Sequence, residues 1–268
     1  MIRLAKIDFK KLSHYRTFWV LIILYFLTLG LITASGMEFL KWLAGKGANF
    51  GNNIDILRIP LYHFPDIWQN ITYVSLYFQL VLAIVVIISI TNEFSYKTIR
   101  QNIIDGMDRK DFLISKLSTI FLITLASTLF VFLIGLVTGL VYTPESEMRF
   151  IFTNIEFIPA YFLATFFYLA LVMLFAVWIK RAGLAIGLVL IYPALEYAFG
   201  ASLPDSLDPL IPYLPYHALN GIIKMPFQRY VFMEIQDYVD PVSVVVALAY
   251  IALFVYLAYR NLVKRDFS

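Results

Sequence analysis

Long apolar runs alternate with short polar breaks along the chain, and six runs are long enough, or nearly so, for an ~20-residue crossing of an ~30 Å hydrocarbon layer. They lie at about Phe18 to Ala34, Ile71 to Ile90, Leu117 to Val141, Phe157 to Ile179, Ala182 to Phe199 and Val242 to Tyr259. The pattern predicts an all-α polytopic membrane protein: six transmembrane helices forming one transmembrane domain over residues 1–268. Three further parts complete it, namely an N-terminal interfacial helix over 1–17, a cytoplasmic segment over 91–116 and a Pro-rich external segment over 200–241.

The first 17 residues combine Arg3, Lys6, Lys10, Lys11 and Arg16 with an apolar row at Ile2, Ala5, Phe9 and Leu12, as suits a helix lying in the membrane interface. A secretory signal is the competing reading, since Thr33-Ala34-Ser35-Gly36 offers small residues after an apolar run, but both the charged region and the run are long for a cleaved signal. Gly36 to Asp66 reads as an external loop loosened by Gly45, Gly47 and Gly51. Leu203 to Pro241 holds six of the 11 prolines together with Leu210, Ile211, Leu214, Ile222 and Ile223, which predicts short helices dipping against the membrane, a lid in form.

The break between the second and third runs, Thr91 to Lys116, is a charged island with five cations (Lys97, Arg100, Arg109, Lys110, Lys116) and four anions (Glu93, Asp105, Asp108, Asp111). This near-balance argues against a polybasic patch for nucleic acid or anionic lipid. Tyr96, Ile99 and Ile103 follow a helical spacing, Asp105-Gly106 supplies a stop and Asp108 an N-cap, with Asp111 favoured by the positive end of the next helix dipole. Helix, turn and capped helix follow, the second helix running on into the membrane. A plain hairpin joining two spans has the same signature.

Composition strengthens the membrane assignment, with 61% apolar residues and a mean hydropathy of +0.78. Of the 21 lysines and arginines, 15 fall on one side of the predicted spans and six on the other, which predicts both termini inside. Trp19, Trp68 and Trp178 fall at span ends, where headgroup-depth anchors belong. With no cysteine and only His14, His63 and His217, thiol chemistry is excluded and a histidine metal cluster has little raw material. There is no GxxxxGK followed by Ser or Thr, no HExxH and no GxSxG, so any nucleotide is handled by another chain.

Polar positions inside the runs are few. Asn70, Tyr73 and Tyr77 share a helical spacing, with Ser75 and Gln79 on other faces, and they serve either helix-to-helix bonding or a substrate path. Gly135 with Gly139 and Gly183 with Gly187 form GxxxG pairs, read as packing surfaces. Glu196 follows Tyr192-Pro193 in the fifth run, and the proline predicts a kink. The carboxyl reads equally as a pathway group and as an interfacial one.

The island NEFSYKTIRQNIIDGMDRKDFLISK resembles the cytoplasmic segment of type-2 ATP-binding-cassette (ABC) permeases, through Asn92, Glu93, Phe94, Ser95, Lys97, Thr98, Arg100, Gln101, Gly106, Phe112, Ser115 and Lys116. The basic first helix, the six spans and the Pro-rich region containing Leu214-Pro215-Tyr216-His217 resemble the rest of that family in outline. The resemblance implies the membrane subunit of an ATP-driven exporter in the bacterial cytoplasmic membrane. Its partners would be cytoplasmic ATPase subunits, which hold ATP and Mg²⁺, and a second permease copy or sister subunit, with membrane lipid around it and no nucleic acid. This chain would bind no cofactor and would not be an enzyme.

Carried onto this sequence, Tyr96 to Ile104 would be the coupling helix, with Glu93 and Arg100 setting its angle by charge pairing. Glu93, Phe94, Tyr96, Lys97, Thr98, Arg100, Gln101, Ile103 and Gly106 would form the ATPase-coupling surface. Tyr73, Tyr77, Tyr192 and Glu196 would be candidates for the translocation pathway. Other classes fit the residues: an energy-independent channel, a membrane anchor for a cytoplasmic complex, or an intramembrane enzyme using Glu196 and His217.

Overall fold

A computed structural model describes residues 8, 10–46, 60–104, 106–231 and 235–264. Among them the structure is all-helical. The long helices are α1 (Arg16–Gly45), α3 (Gln79–Ser95), α5 (Arg109–Tyr142), α6 (Phe157–Ile179), α7 (Ala182–Ala201) and α9 (Pro241–Lys264). The short ones are α2 (Ile67–Leu76), α4 (Thr98–Ile104) and α8 (Pro215–Ile222). Helices α1, α5, α6, α7 and α9 are each long and apolar enough to cross a membrane.

Where the second span was expected over 71–90, the chain breaks: α2 and α3 meet at a 44° bend across Tyr77 and Phe78. Taken as one bent span, the pair would make the number of crossings six.

Helix α6 is the axis of the bundle. Residues 169–177 are buried without interruption, and the helix packs against α9, α3, α5, α2 and α7. A helix apolar all round has no solvent or lipid face to keep, so it goes to the centre. Helix α1 shows the opposite arrangement: Phe18, Tyr25, Leu29 and Thr33 form a buried stripe at helical spacing, while Val20, Ile23, Leu27 and Leu31 face outward. An outward face of this composition suits acyl chains.

Polar groups within the bundle bond helix to helix. The Tyr25 hydroxyl lies 2.5 Å from Ser127 Oγ and 3.0 Å from the Tyr161 hydroxyl, closing a fully buried triangle among α1, α5 and α6. Gln79 Nε2 donates to Thr165 Oγ1 at 3.0 Å, so this side chain serves helix association.

Several expectations are corrected. Helix α1 continues to Gly45, so the start of the predicted external loop is helical, and residues 47–59 lie outside the described residues. Trp68 is fully buried against Phe64 and Phe132, with its indole N–H donating to the Ile151 carbonyl at 2.7 Å, so it is a core residue. Trp19 and Trp178 are exposed at helix ends as anticipated. Gly135 and Gly139 do provide close approach, since a Cβ at Gly139 would meet the Phe64 ring at 2.3 Å. Gly183 and Gly187 face open space with nothing within 4 Å. Pro193 lies inside α7, where the sequence places it.

The Pro-rich segment folds into short helices as its sequence predicts: 3-10 turns at Asp205–Tyr213 and Phe227–Val231 flank α8. It is bound to the bundle. Gln69 Nε2 donates to the carbonyls of Lys224 (3.2 Å) and Gln236 (3.0 Å), Arg229 pairs with Asp66, and the Tyr250 hydroxyl donates to the Tyr213 carbonyl at 2.6 Å.

Candidate functional site

Two features stand at opposite ends of α3, separated by about 21 Å from Glu93 to Gln79 at 1.5 Å per residue. One is a buried charged junction beneath the island. The other is a tyrosine-lined cavity beside the α2–α3 bend.

The junction is built around Lys116, on the buried face of α5. Its ammonium donates to Asp8 Oδ1 at 2.5 Å, to Ser89 O and Oγ at 3.2 and 3.1 Å, and approaches Glu93 Oε1 at 3.5 Å. Asp8 also accepts from Thr119 Oγ1 at 2.6 Å. Lys11 Nζ donates to Glu93 Oε1 at 3.2 Å, and the Thr98 hydroxyl donates to the other Glu93 oxygen. Lys116, Asp8 and Glu93 expose only 4%, 4% and 7% of their side chains, and charges this deep persist because each is paired and hydrogen-bonded. The network ties four pieces of chain together: the N-terminal segment, the end of α3, the first residue of α4, and α5.

The island folds over this junction. Helix α3 ends at Ser95 with Tyr96 as its C-cap, Lys97 adopts a left-handed φ of 57°, and α4 starts at Thr98. After α4, Gly106 takes φ +92°. The Gly106 N–H donates to Ile103 O at 3.1 Å and the Met107 N–H to Asn102 O at 2.9 Å, the pairing of a Schellman stop. Ile99 is buried and Ile103 half-buried, whereas Ile104 is 69% exposed. Lys97, Arg100 and Gln101 are exposed. Phe94 is half-buried, edge-on to Phe112, with the Lys180 ammonium 4.9 Å from its ring centre.

Three details differ from expectation. Tyr96 stands at the end of α3, 66% exposed, and is not part of the apolar stripe of α4. Glu93 pairs with Lys11 and Lys116, whereas Arg100 makes no ion pair among the described residues. Asp108 occupies the N-cap position of α5 without a side-chain capping bond, and Asp105 lies outside the described residues.

Sequence reasoning missed Asp8. It is the one acid among the five cations of residues 1–17, and Lys116 stands where the island meets an apolar run. A cation entering a span needs a counter-ion, and that was the available signal.

The cavity has a volume of about 790 Å³. Tyr73, Tyr77, Tyr168, Tyr197 and Tyr216 line it, with Pro193 of α7 and the segment after α8 closing one side. The Tyr73 and Tyr77 hydroxyls are hydrogen-bonded at 2.9 Å, and the rings of Tyr197 and Tyr216 meet edge to face. Burial is the largest influence on the Tyr216 phenol and raises it above its ordinary value, against the pull of a hydrogen bond with Asn220. It remains protonated, a donor, at neutral pH.

Of the four pathway candidates, Tyr73 and Tyr77 line this cavity, and Tyr192 and Glu196 are not among its lining residues. Tyr192 packs edge-on against Phe175. Glu196 is buried, and its carboxylate accepts from the Tyr216 N–H (2.7 and 2.9 Å) and the His217 N–H (2.9 Å), with His217 Nδ1 at 3.0 Å. It thus caps the N-terminus of α8 from a neighbouring helix. No group of three or more His, Asp or Glu among the described residues is placed to hold a metal ion.

An all-helical multi-pass membrane protein, with a buried charged junction at one end of a bent helix and a polar-aromatic cavity at the other, is the class these features define. Residues 48–268 match DUF2705, a family described as proteins of unknown function, and the chain belongs to that family. No curated protein matches it.

Proposed function

We propose that the chain is the membrane-spanning permease subunit of an ATP-driven exporter, with α4 as the helix that docks on a separate cytoplasmic ATPase. The observation that carries this reading is the way α4 is mounted. It presents Arg100, Gln101 and Ile104 outward beside Tyr96, while its first residue, Thr98, is bonded to the buried Glu93. A simple connecting hairpin needs no buried ion network at its base. A helix that carries force does, because a push on it must move α3 and α5 without being absorbed in a soft joint.

In this reading both termini and the island face the cytoplasm, and the chain works as a pair, with itself or a sister subunit. ATP and Mg²⁺ belong to the ATPase. The cavity at the far end of α3 is the substrate-facing part, so displacement of α4 is transmitted along α3 to the bend at Tyr77 and Phe78. Coupling of this kind requires the docked surface to make different contacts in the two states of the cycle.

The test is affinity purification of the tagged chain from native membranes, followed by mass spectrometry of what accompanies it. A nucleotide-binding subunit carrying GxxxxGK followed by Ser or Thr is expected. It should be lost from Arg100→Glu/Ile104→Asp, both at exposed positions, while the variant still inserts and elutes as a single species. Recovery of the chain without any such subunit, under conditions that preserve other membrane complexes, would remove the exporter reading.

A further inference from the structure

The cavity beside the α2–α3 bend has a chemical character beyond its tyrosines. Gln79, Asn220, Gln228 and Gln236 reach its wall, and Lys224 is the cationic residue among the described lining. Among the described residues no aspartate or glutamate lines it. Leu76, Leu80, Val189 and Leu219 make up an apolar part of the same wall. The wall is therefore rich in O–H and N–H donors, has one cation, and carries a greasy strip. Its volume lies within the roughly 300–1,000 Å³ usual for small-molecule sites.

Two acids of the elements around this cavity, Glu196 of α7 and Asp240 before α9, are already occupied, and Asp237, next to the lining Gln236, is paired with Arg229. Glu196 is turned onto the N–H groups of Tyr216 and His217 at the start of α8. Asp240 accepts from the Val242 and Ser243 N–H groups and from the Ser243 hydroxyl, at 3.0–3.2 Å. Neither is free to hold an incoming cation. Clustered tyrosine rings can hold quaternary ammonium groups, but here such a ligand would meet Lys224, and Asp240, the carboxyl that Lys224 acts on, is already bonded to Val242 and Ser243 and does not line the cavity. A carboxylate or phosphate, which only accepts hydrogen bonds, matches the phenol, amide and ammonium donors.

We propose that this cavity binds an amphipathic acid, a carboxylate or phosphate ester with an alkyl tail of about eight carbons or more, the head at Lys224 and the tail along Leu76, Leu80 and Val189. As the substrate class of the exporter, it rests on the permease reading, whereas the binding itself does not. The same chemistry is offered by a soluble amphiphile and by the headgroup region of an acidic lipid.

The experiment uses the full chain in phosphatidylcholine nanodiscs and a decanoic acid carrying a diazirine in its tail as photolabel, with labelled peptides identified by mass spectrometry. Labelling is expected in residues 73–80, 189–197 and 216–228, with competition by decyl phosphate and not by decyltrimethylammonium at equal concentration. Lys224→Glu should reduce labelling about fivefold or more and Lys224→Arg should preserve it. Because the Lys224 side chain is exposed, these variants are expected to fold, and Tyr77→Ala against Tyr77→Phe gives a second pair in which the aromatic variant retains labelling.

Adding phosphatidylglycerol to the discs separates the two sources: competition identifies a lipid headgroup, and its absence alongside competition by decyl phosphate identifies a soluble acid. Equal competition by the cation, or labelling undiminished in Lys224→Glu, would overturn the proposal. No ATPase takes part in this measurement, so failure of the exporter reading in the affinity purification and failure of acid binding here are separate results.

Discussion

Lys116 and Asp8, 108 positions apart in the chain, meet at 2.5 Å with only 4% of each side chain exposed. Their contact fixes the N-terminal segment to the buried face of α5 and brings Glu93 and Thr98 into the same network. Removing one member of a buried ion pair leaves the other uncompensated, which costs more than the pair contributes as a whole.

Lys116→Met is accordingly expected to destabilise the protein by about 3–5 kcal/mol, because Asp8 and Glu93 then lose their shared cation. Asp8→Asn added to it should recover part of the loss, since an amide leaves no buried charge. Thermal unfolding in detergent checks this through the ranking wild type, double variant, Lys116→Met. A double variant less stable than the single one would show that the network is not held by charge compensation.

The two GxxxG pairs should respond differently to the same substitution. At Gly139 an added Cβ would overlap the Phe64 ring, so Gly139→Ala should cost about 1–3 kcal/mol, with relief on shrinking the neighbour to leucine in Gly139→Ala/Phe64→Leu. At Gly183 and Gly187 nothing lies within 4 Å, so alanine there should leave monomer stability unchanged. Melting temperature reads the first pair and oligomeric state by light scattering the second. A lower oligomer population in Gly187→Ala at unchanged melting temperature would place a second copy against that face of α7.

Much of this architecture was readable in advance, and the failures share a cause. Hydropathy located the helix at Phe157–Ile179 and the two long helices after it to within a few residues, because a long apolar run in a membrane protein satisfies its backbone as a continuous helix. The stop at Gly106 was legible because it depends on one residue and its immediate neighbours. The break at Tyr77 and Phe78 has no proline or glycine to announce it, and the inward turn of Trp68 depends on Phe132 and Gly135 some 65 residues away. Asp8 with Lys116 and Glu196 with α8 are tertiary pairings, and no local window contains both partners. Within the cavity, Tyr73 and Tyr77 were identified by being polar in an apolar run, while Gln228 and Gln236 lie in a segment where polar residues carry no signal.

The start of α9 should weaken in acid. Asp240 is subject to partial desolvation, which favours its neutral form, but the Val242 and Ser243 N–H groups, the Ser243 hydroxyl and Lys224 outweigh it and hold the carboxyl below its ordinary value. A carboxyl with a depressed native pKa contributes stability that is fully present above the unfolded-state value, about 3.9, and is lost as pH falls through the native value. Amide exchange at residues 242–244 should therefore quicken as pH is lowered below about 4, after correction for intrinsic rates. Asp240→Asn should make that corrected rate independent of pH in the same range.

Glu196 is expected to act on the cavity without touching what binds there. Its carboxylate holds the first N–H groups of α8, the helix that carries Tyr216, Leu219 and Asn220 to the cavity wall. Glu196→Ala removes the acceptor and strands buried donors, at about 1–3 kcal/mol, whereas Glu196→Gln keeps one carbonyl oxygen and should cost less. Decanoate photolabelling should fall in the order wild type, Gln, Ala, and the loss should appear at residues 216–228 before it appears at 73–80, because α8 shifts and α2 does not. If Glu196 instead met the ligand directly, an acidic probe would gain on losing the like charge, and Glu196→Gln would label more strongly than wild type. The direction of change in that one variant separates a residue that positions α8 from one that lines the path.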